Sequence, residues 1–411
     1  MKIVEHKTCR LCQNSDLVPI LDLGMMPPAN SFLSEHEIHS SDFIEKKFPL
    51  AVQFCPKCCS LQLRHTVDPE LLFNNYHYIT SASRPLVDHF YTLADEIANA
   101  YVDSSTDLVV EIGSNDGSLL SRLFGKCKIL GVDPAENVAN QAIEKAIPTK
   151  IAYFNTEVAK EIKEDMGEAK VVVANNVMAH IDDLPDVFRG VTDLLCESGT
   201  FIFEVHWVGN LLNDGGFDQI YHEHIFYHSL HSLDFLLRSV GMQVVDVTTI
   251  PIHGQSLRVY ARKNGRISES VEHFLDKEKE MGLHTKNAYV NFSKKVEKLK
   301  QELMTLIYKL KKEGKRISGY GAPAKGNTLL NYFGIGPEIL DYIVDTTPSK
   351  QDKFTPGTHI KVLHPEILIS TPPDYLLLLS WNYRDAILDK EKTIRSKGIK
   401  FIIPIPQVEV I

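Results

Sequence analysis

The residue types best suited to moving protons are concentrated between Phe217 and Ser229, where the sequence reads FDQIYHEHIFYHS. These thirteen residues include three histidines, one glutamate and two tyrosines among apolar neighbours. Because histidine titrates near neutral pH, such a cluster can take up and release protons during a reaction. The alternative is a buried, hydrogen-bonded cluster at the start of a helix, which performs no chemistry.

A catalytic metal site is a third interpretation of this segment. His224 and His228 are four residues apart, but Ile225 stands where the zinc-protease motif HExxH requires glutamate. His222 precedes Glu223 correctly, yet no histidine follows at the fifth position. The spacing therefore disfavours a catalytic metal and favours structural roles for His222 and His228.

A second set of chemically capable residues lies near the N-terminus. Cys9 and Cys12 form one CxxC pair, and Cys55 and Cys58 form another. Two such pairs predict a four-thiolate zinc site, which is closed and therefore structural rather than catalytic. A redox CxxC and two disulfides are the alternatives, but a thioredoxin-like motif is not expected twice and the cytoplasm disfavours disulfides.

Composition restricts the class of protein that carries these residues. The 411 residues, 44% hydrophobic and 24% charged, suffice for two or three globular domains. No apolar run is long enough for a membrane helix and the N-terminus is unlike a signal peptide, so a cytoplasmic protein without a membrane partner is expected. The formal charge of −9 disfavours nucleic acid as a partner.

Two regions of alternating strands and helices must position the candidate residues. Apolar runs predict a parallel sheet buried on both faces, with strands at 106–113, 128–133, 169–176, 200–205 and 243–248. A helix around 292–313, with a solvated lysine face, precedes a second, smaller α/β unit with apolar runs at 315–330, 338–347, 374–382 and 399–404. Domains are therefore expected at 1–75, 76–265 and 266–411.

The turn after the first of these strands is the candidate cofactor site. It reads EIGSNDG, from Glu111 to Gly117, and doubly wound sheets bind ligands at such strand ends. Asp133 ends the next strand, where a carboxylate can accept hydrogen bonds from both ribose hydroxyls. A structural turn and a dinucleotide site are the alternatives, but the spacing ExGxxxG differs from the dinucleotide motif GxGxxG.

This region resembles the class I S-adenosylmethionine-dependent methyltransferases, in which a glutamate precedes the first glycine. The resemblance implies that Glu111 orients the backbone beside the cofactor, that Gly113 and Gly117 admit its methionine moiety, and that Asp133 holds its ribose. It also implies that Phe154 and Asn155 lie near adenine and that Asn175, Asn176 and His180 line the sulfonium side. Ser114, Asp116 and Pro134 are further expected cofactor-binding residues.

Motifs along nearly the full length resemble one family more closely. In order they are the paired CxxC, PPANSF (27–32), EIGSNDG, FDQIYHEH, HGQSLRVY (253–260), GYGAPAKGNT (319–328) and SWN (380–382). Together they look like the nucleotide-sugar C-methyltransferases that make branched deoxysugars such as tetronitrose and mycarose. FDQIYHEH is the specific motif of the set, and Gln255 departs from the family, which usually has a second glycine there.

The resemblance implies methylation at C3 of a nucleotide-linked 4-keto-6-deoxy sugar, with dTDP as the expected nucleotide and GDP or CDP as alternatives. The C3 hydrogen is acidic because it lies beside a carbonyl, so a base can form an enolate that attacks the methyl group of S-adenosylmethionine. His224 matches the family's proposed base, with Tyr221 as a hydrogen-bond donor and Glu223 as an orienting or proton-handling carboxylate. His180 is the second candidate for the base or for stabilising the enolate.

The sugar nucleotide is expected to bind against the C-terminal unit. Gly321 and Lys325 lie in a Gly-rich turn that suits a diphosphate, although a plain strand-to-helix turn is the alternative. Other residues expected to line this substrate are Asn30, Tyr76, Tyr78, Asn327, Trp381 and Asn382. The two tyrosines are equally compatible with a hinge or a core.

Two other functional classes compete with this interpretation. An NAD-dependent sugar oxidoreductase predicts GxGxxG after the first strand, and that motif is absent. A non-catalytic zinc-binding scaffold predicts no proton-handling cluster, which FDQIYHEH contradicts. The expected protein is a methyltransferase that acts on a nucleotide sugar, as a monomer or a weak homo-oligomer.

Overall fold

The computed structural model of the protein describes residues 3–73, 79–251 and 256–411. Tyr76, Tyr78 and Gln255, which the sequence singled out, lie outside the described residues. Within the described ranges, no helix combines the length and apolar character needed to cross a membrane.

The N-terminal residues form a small antiparallel sheet next to the cysteine pairs. Its elements are β1 (Ile3–Glu5), β2 (Val18–Met26), α1 (Glu35–His39), β3 (Phe48–Cys55), β4 (Ser60–Leu63), β5 (His65–Val67) and α2 (Pro69–Phe73). β3 pairs with both β2 and β4, while β1 pairs with β5. β3 is buried over nearly its whole length, and Phe54 on it stacks on the distant Tyr289 with ring centroids 4.2 Å apart.

The central region contains the larger sheet. Its strands are β6 (Leu108–Ile112), β7 (Lys128–Asp133), β8 (Thr149–Ile151), β9 (Ala169–Asn175), β10 (Leu195–His206), β12 (Gln243–Ile250) and β13 (Ser256–Arg262). In the described residues they lie in the order β12-β13-β10-β9-β6-β7-β8. The strand β11 (Phe226–Tyr227) falls between β10 and β12 in sequence but pairs with β4 of the N-terminal sheet.

Helices cover this sheet because their apolar faces need burial. They are α3 (Arg84–Ala100), α4 (Ser118–Leu123), α5 (Glu136–Glu144), α6 (Thr156–Met166), α7 (Leu184–Leu194), α8 (Val208–Asp214) and α9 (Leu230–Ser239). β6 and β9, with β7 and β10 on either side of them, are buried by apolar side chains on both faces. Their carboxyl ends therefore share one edge of the sheet, where the predicted cofactor residues lie.

The C-terminal region begins with α10 (Glu269–Glu280) and the long α11 (Lys286–Lys312). The strands that follow are β14 (Ile317–Tyr320), β15 (Ile343–Val344), β16 (Val362–Leu363), β17 (Tyr375–Leu378), β18 (Lys400–Ile403) and β19 (Glu409–Val410). The helices between them are α12 (Ala324–Phe333), α13 (Ile367–Ser370), α14 (Arg384–Lys390) and α15 (Lys392–Ser396). The sheet order is β16-β15-β14-β17-β18-β19, with only the β18–β19 pair antiparallel among the described strands.

The predicted α/β architecture is confirmed in both units, with differences of physical origin. β13 runs antiparallel to β10 and β12, because the short connection after β12 can join only antiparallel strands. The helix expected around 292–313 begins earlier, at Lys286, and the run 338–347 contributes only the short β15.

The three regions share one core. A single cluster of buried apolar side chains contains Phe54 of β3, Phe203 of β10, Phe292 of α11 and Leu330 of α12. The helix α11 contacts both β2 and α8, so it packs against the N-terminal and the central region. The space between the regions is therefore set by side-chain packing rather than by linkers alone.

Candidate functional site

The segment from Phe217 to Ser229 lies where the three regions meet. It begins as a 3₁₀ turn at Phe217–Gln219, passes through a tight turn, and ends as β11. Phe217 stacks on Phe333 of α12 with ring centroids 5.0 Å apart, while Phe226 pairs with Gln62 of β4. The segment precedes α9 and is not itself the start of a helix. Contacts from three regions hold it in place.

His224 is held in one orientation by two hydrogen bonds. Its Nδ1 lies 3.0 Å from the carbonyl oxygen of Gln219, and its Nε2 lies 2.8 Å from the hydroxyl of Tyr221. Because a carbonyl can only accept, Nδ1 carries the proton and Nε2 presents its lone pair. A neutral imidazole with a directed lone pair is the form that a general base requires.

Two further imidazoles flank His224. The rings of His180 and His206 lie 5.1 Å and 5.5 Å from that of His224, measured between centroids. The Nδ1 of His180 donates to the carbonyl oxygen of Glu223 at 2.7 Å, and burial lowers the pKa of His180 to about 4. His180 is therefore neutral near pH 7, and its Nε2 cannot donate to an oxyanion in this tautomer.

The side chain of Glu223 is oriented by the loop that follows β2. Nδ2 of Asn30 donates to Oε1 of Glu223 at 2.8 Å. Burial raises the pKa of Glu223 to about 7, although the Asn30 hydrogen bond acts in the opposite direction. The same loop is attached to α12, because Nδ2 of Asn327 donates to the carbonyl oxygen of Ala29 at 2.7 Å. Asn30 and Asn327 thus contact the protein itself, and their predicted contacts with substrate stay predictions.

His222 and His228 are buried away from His224. The ring of His222 packs edge-on against Phe48 of β3, and that of His228 stacks on Phe226. Burial lowers the pKa of both histidines to about 4, so both are neutral at physiological pH. These surroundings fit the structural roles that the sequence suggested for them.

The glycines of the turn after β6 are required by its conformation. Gly113 and Gly117 have φ angles of +71° and +75°, in the left-handed region. A Cβ at Gly113 would lie 2.9 Å from the side chain of Val177, and one at Gly117 would crowd Ala142 and Ile147 at 3.1–3.2 Å. Any other residue at either position would displace the turn at the predicted cofactor site.

Asp133 is built into the same turn. Its two carboxylate oxygens accept hydrogen bonds from the backbone N–H groups of Asn115, at 2.8 Å, and Ala135, at 2.9 Å. Burial raises the pKa of Asp133, while these two hydrogen bonds favour its ionised form. Each oxygen keeps lone-pair capacity, so the carboxylate can still accept from ribose hydroxyls.

Buried polar atoms without partners mark the centre of this edge. Burial, with the charges of Asp133 and Asp116, raises the pKa of Glu111 well above its usual range. Among the described residues, Oε2 of Glu111, both amide atoms of Asn175 and Oδ1 of Asn176 have no hydrogen-bond partner. Buried polar groups are almost always paired, so these atoms fit a polar ligand such as S-adenosylmethionine.

Of the other predicted cofactor residues, Asp116 and Asn155 have hydrogen-bond partners within the protein, whereas the buried Oγ of Ser114 has none among the described residues. Asp116 accepts from Ser118 at 2.6 Å and from Lys145 at 3.0 Å; burial acts to raise its pKa, but these bonds outweigh it and lower the pKa. Asn155 caps α6 through the N–H of Val158. Ser114 packs against Gly131, Phe154 is buried and Pro134 is exposed. Their contacts with a cofactor stay predictions.

Lys325, which is predicted to bind the diphosphate, lies in a cluster with the segment, and its contact with substrate stays a prediction. Nζ of Lys325 lies 4.3 Å from the ring centroid of Trp381 and donates to Asn382. Burial lowers the pKa of Lys325 to about 8, opposed by the nearby charge of Asp218. Gly321 has a φ of +82°, and a Cβ there would clash with Ser380 at 2.3 Å. The Lys325 ammonium therefore already interacts with Trp381 and Asn382 within the protein.

Sequence reasoning missed two residues of the site. Asp218 lies within the specific motif and is fully buried, but it was assigned no role. His206 ends β10, next to the strand end that carries Asn175, and the rule that ligands bind at strand ends could have identified it. The signal for Asp218 was a carboxylate among aromatic and apolar residues.

The four predicted metal ligands converge in the N-terminal region. The Sγ atoms of Cys9, Cys12, Cys55 and Cys58 all lie within 4.8 Å of one another. Among the described residues, they are the group that could hold a metal ion. The Cys9–Cys58 and Cys12–Cys55 sulfur pairs are 3.5 Å apart, close to the roughly 3.8 Å edge of a tetrahedral zinc–thiolate site. Nε2 of Gln62 also donates to the sulfur of Cys9 at 3.1 Å, which suits a thiolate ligand.

Three family models match successive parts of the chain. They are described as "Putative zinc binding domain", residues 9–73, "Methyltransferase domain", residues 87–247, and "C-methyltransferase C-terminal domain", residues 251–406. Over 408 residues the chain is 36% identical to C-methyltransferase NovU of Streptomyces niveus, covering 98% of this chain and 96% of that protein.

Solved structures are similar to part of the chain. An S-adenosylmethionine-dependent methyltransferase from Clostridium acetobutylicum ATCC 824 is 15% identical, with a TM-score of 0.33, over 44% of this chain and 91% of its own. Magnesium protoporphyrin IX methyltransferase from Synechocystis PCC 6803, solved with bound S-adenosylmethionine, is 14% identical, with a TM-score of 0.31, over 43% and 77% of the two chains.

Replacement of Asp133 by alanine should weaken binding of S-adenosylmethionine. Lost charge-assisted hydrogen bonds of about 1.5–3 kcal/mol correspond to a dissociation constant raised roughly 10–100-fold. Titration calorimetry measures the constant, with Asp165→Ala, which removes an exposed carboxylate on α6, as the control. An unchanged constant in Asp133→Ala would exclude Asp133 from the ribose site.

Replacement of Cys55 by serine should remove zinc and destabilise the fold. Loss of a structural ligand costs several kcal/mol, so we expect a melting temperature lower by roughly 10 °C and a zinc content near zero. Metal analysis and thermal unfolding provide the measurements. Cys196→Ser, which changes a half-buried thiol outside the cluster, should retain both properties. A metal-free Cys55→Ser protein of wild-type stability would refute the zinc assignment.

Proposed function

The chain belongs to the sugar C-methyltransferase family, and from that premise we propose that it methylates C3 of a dTDP-linked 4-keto-6-deoxy sugar. The protein is an S-adenosylmethionine-dependent C-methyltransferase with a structural zinc site. The position of methylation, the nucleotide and the residue roles are our proposal. The observation that supports it best is the orientation of His224 between Gln219 and Tyr221.

His224 is the proposed general base. Its Nε2 takes the C3 proton of the keto sugar, so the C3–H bond breaks and its electron pair forms the enolate. The Gln219 carbonyl then stabilises the imidazolium through the Nδ1–H that it already accepts. His180 is the weaker candidate, because burial holds its pKa near 4 and so disfavours proton uptake.

Tyr221 is the proposed donor to the enolate oxygen. Its hydroxyl lies 2.8 Å from Nε2 of His224 and donates to it in the Nδ1–H tautomer. When substrate binds, the hydroxyl turns its proton to O4 of the sugar, which frees the Nε2 lone pair for the hydrogen on C3. Donation to the developing oxyanion in a water-poor site is the interaction that lowers the barrier most. When bound, S-adenosylmethionine supplies the electrophilic methyl group that the enolate carbon accepts.

Glu223 is proposed to handle protons beside the base. Its pKa of about 7 allows it to gain or lose a proton at physiological pH, and Asn30 holds its carboxyl in one orientation. The backbone carbonyl oxygen of Glu223 also accepts a hydrogen bond from Nδ1 of His180. The carboxyl, its asparagine and the two imidazoles therefore form one connected group next to the substrate position.

Incubation with methyl-labelled S-adenosylmethionine and a panel of dTDP-, GDP- and CDP-linked 4-keto-6-deoxy sugars tests the proposed reaction. We expect incorporation of label with the dTDP sugar, and a new methyl group on C3 by NMR. Incorporation only with the GDP or CDP sugar would correct the nucleotide. No incorporation with any keto sugar, despite binding of the cofactor, would refute the proposed substrate class.

Replacement of His224 by alanine should lower kcat about 100–10,000-fold, because a positioned general base contributes a factor of this size. Binding of S-adenosylmethionine should stay near normal, since the turn after β6 does not depend on His224. His273→Ala, an exposed histidine on α10, is the matched control and should be fully active. Loss of cofactor binding in His224→Ala would instead place His224 in the cofactor site.

A further inference from the structure

We propose that Asp218, held by Trp381 of the C-terminal region, positions the general base His224. Asp218 is thus a positioning residue, which acts on the base through the backbone of the turn between them. The inference rests on the proposed function of His224. It assigns to the C-terminal region a second role, in setting the geometry of the proton transfer.

The position of Asp218 is fixed by its burial. The side chain has no exposure to solvent, and Oδ2 accepts a hydrogen bond of 2.7 Å from the indole N–H of Trp381. Burial raises the pKa of Asp218, while the positive charge of Lys325, which lies over the Trp381 ring, and the Trp381 hydrogen bond act in the opposite direction. A buried carboxylate is strongly destabilising without such partners, so Asp218 cannot move away from the indole at low cost.

A single turn of backbone connects Asp218 to the base. Asp218 is the middle residue of the 3₁₀ turn Phe217–Gln219, which is closed by the bond from the N–H of Ile220 to the carbonyl of Phe217 at 2.9 Å. Gln219 follows Asp218 in the chain, and its carbonyl accepts the Nδ1–H of His224. The placement of Asp218 therefore determines where the acceptor for His224 lies.

That acceptor determines the tautomer of His224. An isolated neutral imidazole can carry its proton on either nitrogen, and the partner of one nitrogen decides which. With Gln219 in place the proton stays on Nδ1, and Nε2 faces Tyr221 as a base. If the turn moves, His224 can instead donate from Nε2 to Tyr221, and in that tautomer Nε2 has no lone pair with which to take the C3 proton.

The turn is packed against the C-terminal region rather than the central sheet. Phe217 contacts both Phe333, in a stacked arrangement, and Tyr332, at 5.5 Å between ring centroids. Both aromatic residues lie on α12, the helix that also carries Lys325. His180 and His206, in contrast, follow strands of the central sheet. The cluster of Asp218, Trp381 and Lys325 therefore aligns two parts of the active site that belong to different regions.

Trp381→Phe tests this role, because it removes the N–H donor, together with part of the indole ring system, while keeping an aromatic ring at the position. We expect kcat to fall about 10–100-fold, in line with the cost of a misplacement of about 1 Å, with cofactor affinity unchanged. Tyr383→Phe, an exposed neighbour in the same 3₁₀ turn, is the control and should behave as wild type. Wild-type kcat in folded Trp381→Phe would overturn the proposal.

A spectroscopic readout separates positioning from general stabilisation. ¹⁵N NMR of histidine-labelled protein without substrate reports the tautomer of His224, whose signals are identified by their absence in His224→Ala. We expect the Nδ1–H form in wild type and a substantial Nε2–H fraction in Trp381→Phe. An unchanged tautomer would overturn the proposal. Because no substrate is needed, this result stands even if the wild-type enzyme fails to methylate a keto sugar, which would refute only the proposed function.

A second pair of variants applies if Trp381→Phe does not fold. Asp218→Asn keeps an oxygen that can accept from the indole, whereas Asp218→Leu removes both the acceptor and the charge. We expect Asp218→Asn to retain the Nδ1–H tautomer and at least tenfold higher kcat than Asp218→Leu. Equal activities and equal tautomers in the two variants would overturn the proposal.

Discussion

The burial of the segment Phe217–Ser229 is the constraint on which the rest of the structure depends. Its imidazoles, carboxyl groups and backbone are removed from water, so they need partners inside the protein. No single region supplies them: Trp381 bonds Asp218 from the C-terminal sheet, Asn30 bonds Glu223 from the N-terminal loop, and β4 pairs with β11. The shared core is the consequence, because three regions that each contact one short segment must also pack against one another.

This constraint also explains how one site can hold two kinds of chemistry. The edge formed by β6, β7 and β9 presents Asp133 and the amide of Asn175, which are polar groups suited to holding a cofactor. The buried segment presents neutral imidazoles and a carboxyl group whose pKa is near 7. Low polarity around the segment keeps the histidines uncharged, while hydrogen bonds keep Asp116 ionised at the strand edge. The environment of each group, rather than its residue type alone, therefore determines which groups are charged at the strand edge and which are neutral in the buried segment.

Much of the fold and the composition of the site were predictable from local sequence. The apolar runs gave the buried strands, the glycines at 113 and 117 gave the turn, and the two CxxC pairs gave the sulfur cluster. The partners of long-range contacts were not predictable, because a pattern of residue types along the sequence does not specify which residues lie opposite in the folded protein. Asn30, Asn327 and Lys325 each bond another part of the chain, and no local pattern specified those partners; their contacts with substrate stay predictions. The antiparallel β13 was missed for a related reason, since its direction follows from a short connection and not from its own residues.

The pairing of β11 with β4 has a consequence for the order in which the chain folds. The cysteines and β2 to β4 are complete within the first 63 residues, so zinc can be bound early in synthesis. The edge of β4 nevertheless stays open until Phe226 and Tyr227 leave the ribosome, after most of the central sheet. Contacts this distant in sequence are slow to form, and an open strand edge is prone to wrong pairing. The nascent protein therefore passes through a stage at which the N-terminal sheet is incomplete, and this sheet closes only when the segment Phe217–Ser229 docks.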